Sequence, residues 1–127
     1  MMKNGLLFLI VLFLLTPILL LSNVSAKARL TEEQALKVLI STIQKEKLYG
    51  NDPNMSCLSI SPGESGKDHF DFSVHENHGG NCPGNPNASP AADRFRVERS
   101  SRKVQWYDPG EDRPLSLRAF TKSRSKR

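Results

Sequence analysis

Apolar and polar residues recur along this chain with two different periods, and the change of period marks its elements. Between Thr31 and Lys47, Leu36, Leu39, Ile40 and Ile43 repeat at helical spacing, with Ala35 beside them. That stripe predicts an amphipathic helix with one buried face. Its ends carry matching local chemistry. Thr31 is a good N-cap, and Gln34 follows at the position of a capping box. Glu32 and Glu33 fill the first turn, and Lys45 and Lys47 the last, so the charges complement the helix dipole. Gly50, Asn51, Asp52 and Pro53 supply the stop.

Beyond Pro53 the period falls to two. His69 to His75 alternates strictly, with Phe70, Phe72 and Val74 on one side and Asp71, Ser73 and His75 on the other. Cys57 to Ser61 places Leu58 and Ile60 on one face. Turn chemistry, SPGESGKD, separates these two strands. Arg94 to Glu98 turns Phe95 and Val97 inward, and Val104 to Tyr107 does the same with Val104 and Trp106. The last two strands read as a hairpin that pairs Phe95 with Trp106 and Val97 with Val104. A tight turn at Ser100–Ser101 and a longer loop are both compatible with that register.

The pattern as a whole predicts an α+β fold: one N-terminal helix packed on a four-stranded antiparallel sheet. The stretch from His75 to Pro90, HENHGGNCPGNPNASP, interrupts it with glycine, proline and asparagine. Cys57 and Cys82 are the only cysteines, and an even count favours a disulfide closing a loop of about 25 residues. Such a closure is worth roughly 3 kcal/mol by the chain-entropy estimate. Cys57 has the opposite parity to Leu58 and Ile60, so the staple is expected to draw the loop across the outer sheet face. Asp71, Ser73, His75, Arg94, Arg96, Gln105 and Tyr107 belong to that face, and His78 to the loop above it.

The two ends differ in kind from the middle. Leu6 to Leu21 is apolar except for Thr16 and Pro17, follows Lys3, and leads to the small residues Ser25 and Ala26. This reads as a secretory signal peptide over residues 1–26, cut after Ala26. An uncleaved anchor is the rival reading, but the run falls short of the ~20 apolar residues a spanning helix needs. Residues 27–117 then form one small domain. The formal net charge of +5 is unevenly placed. From Lys27 to Leu117 twelve basic residues face thirteen acidic ones, whereas Arg118 to Arg127 holds five basic residues and no acid. Residues 118–127 therefore read as a solvated, disordered basic tail. No RNA-binding aromatic signature accompanies it, so nucleic acid is not an expected partner.

Chemistry-bearing residues are few. His75, His78 and Cys82 are ligand types for zinc or copper, but a disulfide at Cys82 would leave two imidazoles. Ser73 and His75 lie about 7 Å apart along a strand, and no nucleophile motif frames the serine. Paired carboxylates for an envelope-polymer hydrolase are not evident, Glu76 and Asp93 being the candidates left open. No motif calls for a cofactor, and no catalytic residue is assigned.

His75, the run CPGNPNASP at 82–90 and Phe95-Arg96-Val97, followed by KVQWYD at 103–108, resemble a group of small exported bacterial proteins. The likeness covers most of Leu30 to Asp108 and implies an envelope location without implying an activity. More loosely, LTEEQA at 30–35 and the Phe95–Asp108 hairpin resemble PepSY-type and cystatin-like domains. PepSY domains are extracytoplasmic modules associated with restraint of peptidases, although this chain lacks a second helix–strand unit. The expectation is a periplasmic or secreted, non-enzymatic binding domain. It would engage an envelope protein, inhibitor- or immunity-like, with no membrane anchor after cleavage.

Overall fold

The computed structural model describes residues 28–52, 55–88 and 92–126. The expected signal segment, 1–26, lies outside them. Helix α1 spans Glu32–Lys45 and is capped as its sequence demands. The Thr31 hydroxyl accepts from the Gln34 amide at 3.3 Å, and the Gln34 side chain accepts from the Thr31 amide at 3.0 Å. The stop comes before Gly50. Lys47 takes a left-handed φ of 51°. The Leu48 amide then bonds the Ile43 carbonyl at 3.1 Å, and the Lys47 amide bonds that of Gln44 at 3.3 Å. This is a Schellman closure with lysine in the position glycine usually takes. Its hydrophobic partner is Leu48, which is buried.

Five strands follow: β1 Leu58–Pro62, β2 His69–Glu76, β3 Asp93–Glu98, β4 Val104–Tyr107 and β5 Pro114–Leu115. They form one antiparallel sheet in chain order. Phe95 pairs with Trp106 and Val97 with Val104, the register the alternation predicts. The β3–β4 connection is the longer loop rather than a tight Ser100–Ser101 turn: Arg102 adopts φ 63° and its amide bonds the Glu98 carbonyl at 3.1 Å.

Two expectations are corrected at the C-terminal end. The sheet has a fifth strand, because Leu115 pairs with Trp106 and Pro114 with Tyr107. The basic tail is not disordered over its described length: Leu117–Arg124 forms helix α2, with Ser116 as N-cap accepting from the Ala119 amide. The physical reason is Phe120, only 1% exposed. Its ring packs on Phe95, Trp106 and Tyr49 with centroids 5.2, 5.4 and 5.5 Å away. One aromatic anchor burying a large apolar area fixes the segment, with Leu117 and Ala119 packed partly buried beside it.

Both helices cover the same sheet face. Ala35, Leu39 and Ile43 of α1 meet Phe72, Val74, Phe95, Val97 and Trp106 in one core. The opposite face carries no second layer among the described residues. No helix among them is long and apolar enough to cross a membrane.

Candidate binding surface

The uncovered face is organised around Asp71. Strand alternation puts His69, Asp71, Ser73 and His75 of β2 on this side, and pairing sets Asp71 opposite Arg96 and Ser73 opposite Arg94. Asp71 is 8% exposed, the one charged residue among the buried ones described. Its two oxygens accept from Arg96 Nε at 2.8 Å and Nη2 at 2.9 Å, a bidentate fork. Hydrogen bonding to Asp71 raises the Arg96 pKa above its ordinary value, against the opposing effect of burial. Gly63, just past β1, lies against the Asp71 backbone, its amide donating to the Asp71 carbonyl at 2.7 Å. A Cβ at Gly63 would lie 3.2 Å from that oxygen, so glycine permits the approach.

Tyr107 extends the row. Its ring lies under two guanidinium groups, with Arg94 Cζ 5.6 Å and Arg96 Cζ 5.4 Å from the centroid. Its hydroxyl donates to Asp112 Oδ1 at 3.0 Å, and that bond raises the phenol's pKa. Arg94 is exposed and has no carboxylate partner among the described residues. His75 is exposed at the β1 edge of the face, opposite Ser59. Asp71, Ser73, His75, Arg94, Arg96, Gln105 and Tyr107 thus share one surface, as their parity predicts. His69 and Asp112 join it. His69 was legible from its parity, with Nε2 3.8 Å from Asp71. Asp112 was not, because it reaches Tyr107 from the turn before β5.

The loop does not belong to that surface. Cys57 and Cys82 are joined, with Cα atoms 5.5 Å apart, but the expected cover over the outer face is not formed. Cys57 precedes β1 in a turn closed by the Leu58 amide on the Met55 carbonyl at 3.0 Å, so strand parity does not govern it. The loop instead lies at the end of the sheet on the helix side. There His78, Pro83 and Gly84 share the walls of a cleft with Ile43 and Tyr49 near the end of α1, and with Arg124 of α2.

Two chemical alternatives are altered by this placement. Cys82 is spent in the disulfide, and His75 and His78 fall on different sides, so the His75–His78–Cys82 ligand set is not assembled. No group of three or more metal-ligating side chains occurs among the described residues. Glu76 and Asp93 do converge, but on a cation. Arg124 Nη2 donates to Glu76 Oε1 at 2.7 Å, and Nη1 lies 3.7 Å from Asp93 Oδ2. Tyr49 donates to the same Asp93 oxygen at 2.7 Å, and Arg124 stacks 4.7 Å over its ring. Burial first, and then the bond to Asp93, push the Tyr49 phenol far above its ordinary range.

Compared with family models, curated proteins and solved structures, the chain matches none. The likeness to exported bacterial proteins and to PepSY-type and cystatin-like domains therefore rests on the sequence motifs alone.

Proposed function

We propose that this protein is a non-enzymatic binding domain of the cell envelope, periplasmic or secreted. It engages a protein partner through the outer face of its sheet, in an inhibitor- or immunity-like role. The observation that supports this reading is the Asp71–Arg96–Tyr107–Arg94 row. Asp71 locks Arg96, Tyr107 supports both guanidinium groups, and Arg94 is left exposed without a counter-ion among the described residues. Rigid aromatic and arginine side chains on one surface are what protein contacts favour. The disulfide is compatible with an oxidising compartment, and the His75–Val97 motifs resemble those of exported proteins.

The test is site-specific photo-crosslinking in an envelope fraction, with the probe at Gln105 on this face and, as control, at Ser41 on the exposed side of α1. A discrete adduct from position 105, absent from position 41 and abolished by Arg94→Glu, is expected. Equal adducts from both positions, or adducts indifferent to Arg94→Glu, would overturn the assignment.

A further inference from the structure

The cleft beneath the disulfide loop is built by segments far apart in the chain. The end of α1, the turn before β1, the end of β2, the loop and the last turn of α2 all contribute. Two long-range ties hold its walls: the Cys57–Cys82 bond and the Arg124–Glu76 ion pair. Its volume is about 340 Å³, at the small end of the ~300–1,000 Å³ typical of ligand sites. Ile43, Tyr49, Met55, Leu58 and Pro83 make the walls largely apolar. Gly84 takes φ 105° and lies so close to the His78 ring that a Cβ would fall 2.4 Å from Nδ1. The loop wall is therefore held flat against His78.

The charges at the rim are unequal. Asp52 and Glu76 line the cleft with one arginine, Arg124, and with His78 of the loop wall, and Asp52 accepts from the Ser56 amide at 3.0 Å and hydroxyl at 2.7 Å. The Arg124 guanidinium is already shared between Glu76 and Asp93 and stacked on Tyr49. Glu76 spends Oε1 on Arg124, while its Oε2 accepts no hydrogen bond among the described residues. An acceptor with spare capacity beside an apolar wall, with net negative charge around it, suits a cation that carries its own apolar stem. An anion would meet two carboxylates and an arginine already shared between two acids.

We propose that this cleft binds a primary amine or guanidinium on an apolar stem, the stem against Leu58 and Met55 and the charge at Glu76. The same chemistry is offered by a free alkylamine and by a lysine side chain of a partner protein. The site lies across the sheet from the Arg94–Tyr107 surface and stands or falls independently of it.

Titration of the full mature chain followed by backbone amide resonances decides the matter. Hexylamine is expected to shift the amides of Cys57, Glu76, His78 and Gly84 saturably, and hexanoate is not. Gln44, on α1 at the cleft wall, provides charge variants at a position outside the Arg124–Glu76 pair. Gln44→Lys should weaken hexylamine binding and Gln44→Glu strengthen it, each by up to about fivefold, the range of an exposed charge pair. Equal shifts with hexanoate, no saturable shift with hexylamine, or indifference to both Gln44 variants would each overturn the proposal. A capped Ala-Lys-Ala peptide separates the sources. Saturation at the same amides assigns the site to a protein lysine, and binding of hexylamine alone assigns it to a free amine.

Discussion

A carboxylate as buried as Asp71 is tolerated because Arg96 satisfies both of its oxygens. Arg96→Met should therefore cost more than the loss of one surface ion pair, about 1–3 kcal/mol, because Asp71 is left without its fork. Asp71→Asn combined with Arg96→Met should recover part of that loss. A double-mutant cycle by urea unfolding reads the coupling directly, and simple additivity of the two changes would show that the pair is not coupled. Tyr49 gives a prediction with a pH sign. Its phenol keeps its proton to higher pH in the folded protein than in the unfolded chain. Its contribution is complete below the unfolded pKa of about 10 and is lost as pH rises further, because the folded state then binds more protons. Tyr49→Phe should lower stability near neutrality by about 1 kcal/mol, as Asp93 loses a donor. The same variant should decline less steeply as pH rises above about 10. Parallel declines of the two proteins would contradict the assignment.

Among the elements, α1 and α2 show opposite relations between sequence and structure. The capping of α1 is local chemistry within four residues, Thr31 to Gln34, and its apolar stripe repeats across several turns, so pattern alone reveals it. The β2 alternation and the β3–β4 register are legible for the same reason: each neighbour informs the next. Helix α2 has one buried side chain, Phe120, in eight residues, too few for a periodic signal. Its Arg124 finds Glu76 across 48 positions, a contact no local reading can supply. The side taken by the loop was hidden for a related reason, since Cys57 lies outside the strand whose parity was applied to it. The outer face was legible because every member but Asp112 sits inside a strand. If Phe120 is what holds α2, Phe120→Ala should cost about 3–5 kcal/mol. Amide exchange would then show α2 unprotected while β2 and β3 keep their order. Retained protection in α2 would mean that Arg124 and the Ser116 cap suffice.

At the scale of the whole molecule, the disulfide and the core do different work. The core joins α1, α2 and the inner sheet face, and among the described residues none of its side chains comes from the loop. The loop's described backbone is tied mainly by short-range bonds, such as the Cys82 amide to the Gly79 carbonyl at 2.9 Å and the Ala88 amide to the Asn85 carbonyl at 3.0 Å. The Cys57–Cys82 bond, spanning 25 positions, ties its middle to the rest, while at its start the Asn77 amide bonds the Cys57 carbonyl at 2.7 Å. Replacing both cysteines by alanine should therefore leave the sheet and helix resonances in place, because no core contact is removed. It should still lower global stability by roughly 3 kcal/mol, through the freedom the unfolded chain regains. For a domain of this size that corresponds to a fall in Tm on the order of 10–25 °C. Urea unfolding and calorimetry of the double variant, with an amide spectrum recorded before unfolding, separate the two effects. A native spectrum with a much lower midpoint supports a staple that acts on the unfolded state. An unchanged midpoint would show that the loop's own turns hold it. Loss of the β2–β3 resonances would mean that the loop supports the core after all, through the ends of the strands it joins.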